Sequence, residues 1–225
     1  MTERVAVIGA GSRRCGKDIL AAIMKLGLSD ESELILCDIH PEALDLYDRL
    51  ARAFAVESDC RFMIRCEARL EDALSEPTII VLCFGIGVGK FDEAQAAQTT
   101  SLEIQNRLRA IRLWPTFERI NESLHTVPEG CKVINLVRPV EYSSQLLAHE
   151  AVHLDWPEFA TEQEKMEAVH QALRWVRTDD YPQFELKKHE ESPLILALTE
   201  YDSRKVDRFN QRAIAQWMND LEEVQ

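Results

Sequence analysis

Four short runs of the chain, Val5 to Ile8, Leu34 to Cys37, Ile79 to Phe84 and Val133 to Val137, are apolar almost without interruption and rich in β-branched residues. Strands that alternate polar and apolar positions face water on one side, whereas continuous apolar strands are buried on both sides, as in a parallel sheet. A weaker run, Arg61 to Ile64, supplies a fifth strand. Between the runs lie segments of helical period: Gly16 to Leu26, Pro41 to Val56 with Pro41 at the first helical position, Glu67 to Leu74, and Phe91 to His125 with a break expected near Trp114-Pro115. The order is strand, helix, strand, repeated. It predicts an α/β fold of three layers, a Rossmann-like doubly wound parallel sheet whose right-handed crossovers leave a ligand crevice at the carboxyl ends of the strands.

The pattern changes after Pro139. A helix is expected to about His153, ended by Asp155-Trp156-Pro157. Thr161 to Arg177 reads as an amphipathic helix, Tyr181 to Ser192 as a charged connection, Pro193 to Leu198 as a short strand or buried turn, and Ser203 to Leu221 as a closing helix. The expected organisation is a dinucleotide-binding domain over residues 1–148 and a short, mostly helical extension over 149–225 that packs on it, since such a tail is too small for an independent catalytic domain.

Composition narrows the function classes. Of 225 residues, 46% are hydrophobic and 29% charged, and no apolar run approaches the ~20 residues that span a bilayer. The net charge of −13 repels nucleic-acid phosphates and anionic lipid surfaces, so neither nucleic acid nor membrane is an expected partner. The N-terminus enters the first strand without the features of a signal peptide, which points to a cytoplasmic chain. The six cysteines then read as reduced thiols, and Cys60 and Cys66 lack the spacing of a zinc pair.

The chemistry-bearing segment is Val7-Ile8-Gly9-Ala10-Gly11-Ser12-Arg13-Arg14-Cys15-Gly16. It sets glycines directly after a strand and at a helix entry, where backbone amides can face a pyrophosphate. The spacing is G-x-G-x-x-x-x-G, which departs from the G-x-G-x-x-G fingerprint and loosens the contact of the third glycine. The second strand ends on Asp38, where a carboxylate accepts the ribose hydroxyls of an adenosine and repels a 2′-phosphate, favouring NAD over NADP. The alternative for Asp38 is a helix cap near Pro41. Gly9, Gly11, Ser12, Arg13 and Asp38 are therefore candidate cofactor-binding residues. Arg138, at the carboxyl end of the fifth strand, is a candidate clamp for a small anionic substrate, with a salt bridge to a surface acid as the alternative.

With Val7-Ile8-Gly9-Ala10-Gly11-Ser12, Leu36-Cys37-Asp38-Ile39, Val81-Leu82-Cys83-Phe84-Gly85-Ile86-Gly87 and Val133-Ile134-Asn135-Leu136-Val137-Arg138-Pro139-Val140, about two-thirds of the chain resembles the NAD-binding half of the lactate/malate dehydrogenase superfamily. Within it, the chain is most similar to the family 4 glycosidases, which share that fold. The resemblance implies that Gly9, Gly11 and Asp38 bind NAD and that Gly85 and Gly87 lie along the cofactor. It also marks departures. These families carry Asn-Pro after the fifth strand where this chain has Arg138-Pro139, and neither the dehydrogenases' catalytic His segment nor the glycosidases' metal-holding Cys and His is recognisable here.

A second motif competes. His149-Glu150-Ala151-Val152-His153 matches H-E-x-x-H, which on a helix brings two histidines to one face as zinc ligands, with the glutamate as base. Three readings follow: an NAD-binding protein acting as an oxidoreductase on a small anionic substrate, a catalytically degenerate NAD-sensing or scaffold protein that forms a homodimer, and a zinc-dependent hydrolase. Hydride transfer needs a protein acid or base beside the nicotinamide, and His125, His149 and His153 are the candidates.

Overall fold

The structure, a computed structural model, describes residues 2–85, 102–138, 140–155 and 160–178, with residues 102–112 described by their backbone alone. The expected elements over 91–101 and beyond 178 lie outside the described residues, as do Gly87, Pro139 and Trp156.

Six strands form one sheet: β1 (Arg4–Ile8), β2 (Glu33–Cys37), β3 (Met63–Glu67), β4 (Ile79–Leu82), β5 (Lys132–Asn135) and β6 (Ala151–His153). Every pairing is parallel and the order is β3-β2-β1-β4-β5-β6, the Rossmann arrangement, in which chain direction across the sheet reverses between β1 and β4. The helices are α1 (Gly16–Leu26), α2 (Pro41–Glu57), α3 (Leu70–Ala73), α4 (Leu102–Leu124), α5 (Val140–Leu146) and α6 (Glu162–Thr178).

Alternate strand residues supply two cores. Val5, Val7, Leu34, Leu36, Val81 and Ile134 pack with Ile19, Ile23 and Tyr47 of α1 and α2 and with Val169 and Leu173 of α6. Ala6, Ile8, Ile35, Ile80, Leu82 and Val133 face Leu113, Phe117 and Ile120 of α4 and Leu146 of α5. Both faces of the sheet are thus covered, which is why the strands lack polar alternation.

Two expected features are corrected. Helix α4 runs unbroken through Pro115. A proline inside a helix costs ~3 kcal/mol, but Leu113, Trp114, Phe117, Ile120 and Leu124 on its buried face outweigh that loss. The helix expected from Pro139 to His153 stops at Leu146. Asn121 of α4 ends it, its Nδ2 donating to the Leu146 carbonyl at 2.9 Å while its Oδ1 accepts the Ala148 N–H at 2.9 Å. The chain then extends into β6, whose Ala151 and Val152 bury on opposite faces of the sheet.

Helix α6 packs against α1, opening on a capping box in which Thr161 Oγ1 accepts the Glu164 N–H and the Glu164 carboxylate accepts the Thr161 N–H. Ion pairs tie α6 to its neighbours: Glu162 with Lys17 and Glu167 with Lys25 of α1, and Arg177 with Glu3 beside β1. No helix among the described residues is long and apolar enough to cross a membrane.

Candidate dinucleotide site

The turn after β1 is anchored from below. Gly9 and Ala10 both donate their N–H to the Cys37 carbonyl, at 2.8 and 3.0 Å, so the turn hangs on the end of β2. Gly9 has φ +84°, a conformation that L side chains rarely adopt, and a Cβ there would lie 2.5 Å from the Phe84 backbone at the end of β4. Gly11 is confined differently, since a Cβ would meet Ala43 Cβ at 2.6 Å and Asp38 Oδ2 at 2.9 Å. At Gly16, the first residue of α1, a Cβ would meet the Ala10 carbonyl at 2.4 Å and the Tyr47 ring at 2.5 Å. The longer spacing does not release the third glycine. It remains the point where helix, turn and α2 close on one another, and the Tyr47 hydroxyl donates to the Ser12 carbonyl at 3.0 Å to complete that closure.

The inserted residues have their own consequence. Ser12 N–H donates to the Gly9 carbonyl and Gly16 N–H to the Ser12 carbonyl, both at 2.9 Å, while the amides of Arg13, Arg14 and Cys15 have no acceptor among the described residues. Amides left without an acceptor at a helix entry are able to bind an anion, and the Arg13 and Arg14 side chains beside them are exposed.

Asp38 follows β2 at the same edge. Its Oδ2 accepts the Gly11 N–H and its Oδ1 the His40 N–H, each at 2.9 Å. His40 is the residue before α2, so this bond fixes the carboxylate rather than capping an amide inside the helix. Each carboxylate oxygen keeps a second lone pair for a ribose hydroxyl. Gly85 lies just past β4, and a Cβ there would meet nothing within 4 Å among the described residues, so none of them demands glycine.

Across the switch point the edge carries Arg138 and His153. The Arg138 guanidinium pairs with Asp155, its Nε donating to Oδ1 at 2.9 Å, so the cation expected to clamp an anion has an internal carboxylate for partner. Asn135, fully buried at the end of β5, donates from Nδ2 to Ser143 Oγ at 2.9 Å and contacts His153 Nδ1 at 3.0 Å, while its Oδ1 accepts the Val137 N–H. With an Asn135 amide proton directed at Nδ1, the ring proton sits on Nε2, which is buried with no partner among the described residues. Burial pushes the imidazole down to about 4, so it is neutral at pH 7.

The topology separates the three candidate histidines. His125 precedes β5 and His149 precedes β6, which puts both at the amino edge of the sheet. His153 ends β6, at the carboxyl edge. The same placement overturns the zinc-hydrolase reading. The motif needs one helical turn between its histidines, whereas here His149 lies in an exposed turn with Nδ1 2.8 Å from the Glu150 carbonyl, and His153 lies in a strand. Among the described residues, no group of three His, Cys, Asp or Glu side chains is arranged to hold a metal ion.

Residues 4–151 match the model of the family 4 glycosyl hydrolases. An α-glucosidase of Erwinia rhapontici is 28% identical over 87 residues, which are 39% of this chain and 19% of that protein. The fold is similar to that of a 6-phospho-β-glucosidase from Thermotoga maritima, solved with NAD and glucose-6-phosphate, at a TM-score of 0.51 and 16% identity over 64% of this chain and 36% of that one. It is also similar to malate dehydrogenase from Naegleria fowleri, at 0.50 and 15% identity over 65% of this chain and 42% of that one. The matched region is thus well under half the length of each of these relatives.

Proposed function

The chain belongs to the family 4 glycosyl hydrolases, and on that premise we propose that it is an NAD-binding protein that sets a small anionic substrate beside Arg138 for an oxidoreductase-type step. The observation that carries the reading is the glycine turn. Gly9, Gly11 and Gly16 each stand where a Cβ would strike backbone or a packed side chain, and between them the amides of Arg13, Arg14 and Cys15 are free for a pyrophosphate. The Asp38 carboxylate, oriented by two backbone amides, takes the adenosine ribose and disfavours a 2′-phosphate.

A bound NAD supplies the hydride acceptor. The chain's own contribution is placement. His153, held through Nδ1 by Asn135, is the one of the three candidate histidines at the carboxyl edge, and Arg138 supplies the charge that an anionic substrate needs. A ligand carboxylate or phosphate reaches Arg138 by competing with Asp155. That ion pair also favours a second reading, an NAD sensor or scaffold without chemistry, in which the anion position stays occupied by Asp155.

Thermal unfolding of the purified chain separates a dinucleotide binder from the rest of its fold class. NAD at a hundred times its Kd adds about 2.7 kcal/mol and raises Tm by several degrees, more than NADP at the same concentration. An unchanged Tm with NAD, NADP and NADH at millimolar concentration contradicts the proposal. Addition of glucose 6-phosphate in the presence of NAD then tests the anion position, where a further rise in Tm that Arg138→Ala abolishes supports a substrate over a sensor.

A further inference from the structure

Two thiols lie beneath the glycine turn. Cys15 is the last residue before α1 and contributes no side-chain cap to it. Its Sγ lies 3.5 Å from Ser12 Oγ and reaches the Cys83 carbonyl at 3.9 Å. Cys83, the first residue past β4, donates its thiol to the Gly9 carbonyl at 3.1 Å. The Cys15 sulfur thus lies against Cys83 across 68 residues of sequence and across the switch point between β1 and β4. Both are buried, at 4% and 2% exposure.

Their surroundings divide the labour. The hydrogen bonds from Cys83 and Ser12 hold the Cys15 thiol below its ordinary pKa despite burial, and the free amides at the entry of α1 favour negative charge there. Cys83 is held well above its ordinary value, so it stays a thiol. The other buried cysteines differ, with burial pushing Cys37 up to about 12 and Cys131 up to about 11.

We propose that Cys15 and Cys83 form a dithiol that a peroxide converts to a disulfide, and that closing this bridge weakens dinucleotide binding at the turn above it. The second half rests on the NAD reading; the first does not. The Cys15 thiolate attacks one oxygen of the peroxide, an S–O bond forms, the O–O bond breaks, and the departing hydroxide takes a proton to become water. The Cys83 sulfur then attacks the sulfenic sulfur, the S–S bond forms, the S–O bond breaks, and the hydroxide leaves as a second water with the Cys83 proton. Two thiols and one hydrogen peroxide give one disulfide and two waters. Burial selects the oxidant, since hydrogen peroxide is small enough to enter where a glutathione disulfide is not.

The bridge acts on the seat directly. The Cys15 sulfur, now against the Cys83 carbonyl, must close to covalent distance from the Cys83 sulfur, which draws Cys15 and the neighbouring Arg13 and Arg14 amides toward β4. Cys83 at the same time gives up its bond to the Gly9 carbonyl.

The test uses the reduced full chain, treated with hydrogen peroxide, alkylated under denaturing conditions and mapped by mass spectrometry without reductant. A cross-linked peptide pair carrying Cys15 and Cys83, lost on adding dithiothreitol, is the expected result. Cys83→Ala removes the pair and leaves Cys15 as a sulfenic acid that dimedone traps. Recovery of both residues as alkylated thiols, or a bridge formed by other cysteines instead, overturns the site. NAD titration of the oxidised and reduced protein then reads the consequence: a Kd at least tenfold weaker after oxidation, restored by dithiothreitol, supports it, and an equal Kd overturns the regulatory half. Reduced protein that binds no NAD overturns the functional reading, while the peptide map still decides the thiol pair.

Discussion

Gly11 donates its backbone N–H to Asp38 Oδ2 at 2.9 Å, joining the turn after β1 to the end of β2 across 27 residues. The bond explains two sequence choices together. A side chain at position 11 would collide with Ala43 and with this carboxylate, and the carboxylate is fixed just past the carboxyl end of β2.

Asp38→Ala removes the acceptor of the Gly11 and His40 amides. Hydrogen bonds to a charged group are worth about 1.5–3 kcal/mol, so Kd for NAD rises at least tenfold while that for NADP changes less. Titration with both nucleotides checks this. Unchanged selectivity would make Asp38 only a loop-fixing residue.

Gly9→Ala acts on the fold as well as the site. The left-handed backbone at φ +84° costs a non-glycine residue about 1–2 kcal/mol, and the 2.5 Å approach of the Phe84 backbone adds to that. Urea unfolding is expected to show a loss of at least about 2 kcal/mol. Gly85→Ala, where a Cβ meets nothing among the described residues, is expected to change stability by well under 1 kcal/mol, and equal losses at the two positions would contradict the account.

His153 sets a pH dependence of stability. Above about pH 6.5 its imidazole is neutral whether the chain is folded or not. Below that, the unfolded chain takes up a proton that the folded chain refuses until about pH 4, so stability is lost as pH falls through this window. The full loss is on the order of 3 kcal/mol. Urea unfolding between pH 4 and 7 is expected to show a shallower decline for His153→Gln than for the parent, and identical slopes would contradict the burial of the ring.

Asp155→Asn removes the carboxylate that holds Arg138. If a ligand anion competes for that guanidinium, the variant binds glucose 6-phosphate several-fold more tightly in the presence of NAD, whereas Arg138→Ala binds it more weakly. Calorimetry on the two variants reads both directions, and unchanged affinity in each removes Arg138 from the ligand site.

The fold was legible because its signals are local. Continuous runs such as Leu34 to Cys37, glycines at the strand-to-helix turn and Pro41 at a helix start each carry their meaning within a few residues. What was not legible depends on distant partners. His149 and His153 have helical spacing, and only Asn121, on another helix, ends α5 and turns the second histidine into a strand residue. Pro115 reads as a break until the buried face of α4 is seen. The third glycine's role survived a longer spacing because Tyr47 and Ala10 close around it. Neither the Asp155 partner of Arg138 nor the meeting of Cys15 with Cys83 has any local signature.

The central claim, that the glycine turn is a dinucleotide seat, is tested most directly by isothermal titration of the reduced full chain with NAD, alongside Gly11→Val, which fills the space between Ala43 and Asp38. The account predicts one site per chain in the parent, a weaker affinity for NADP, and loss of binding in the variant at a temperature where it remains folded. Absence of NAD binding by the parent at millimolar concentration, or undiminished binding by Gly11→Val, would contradict it.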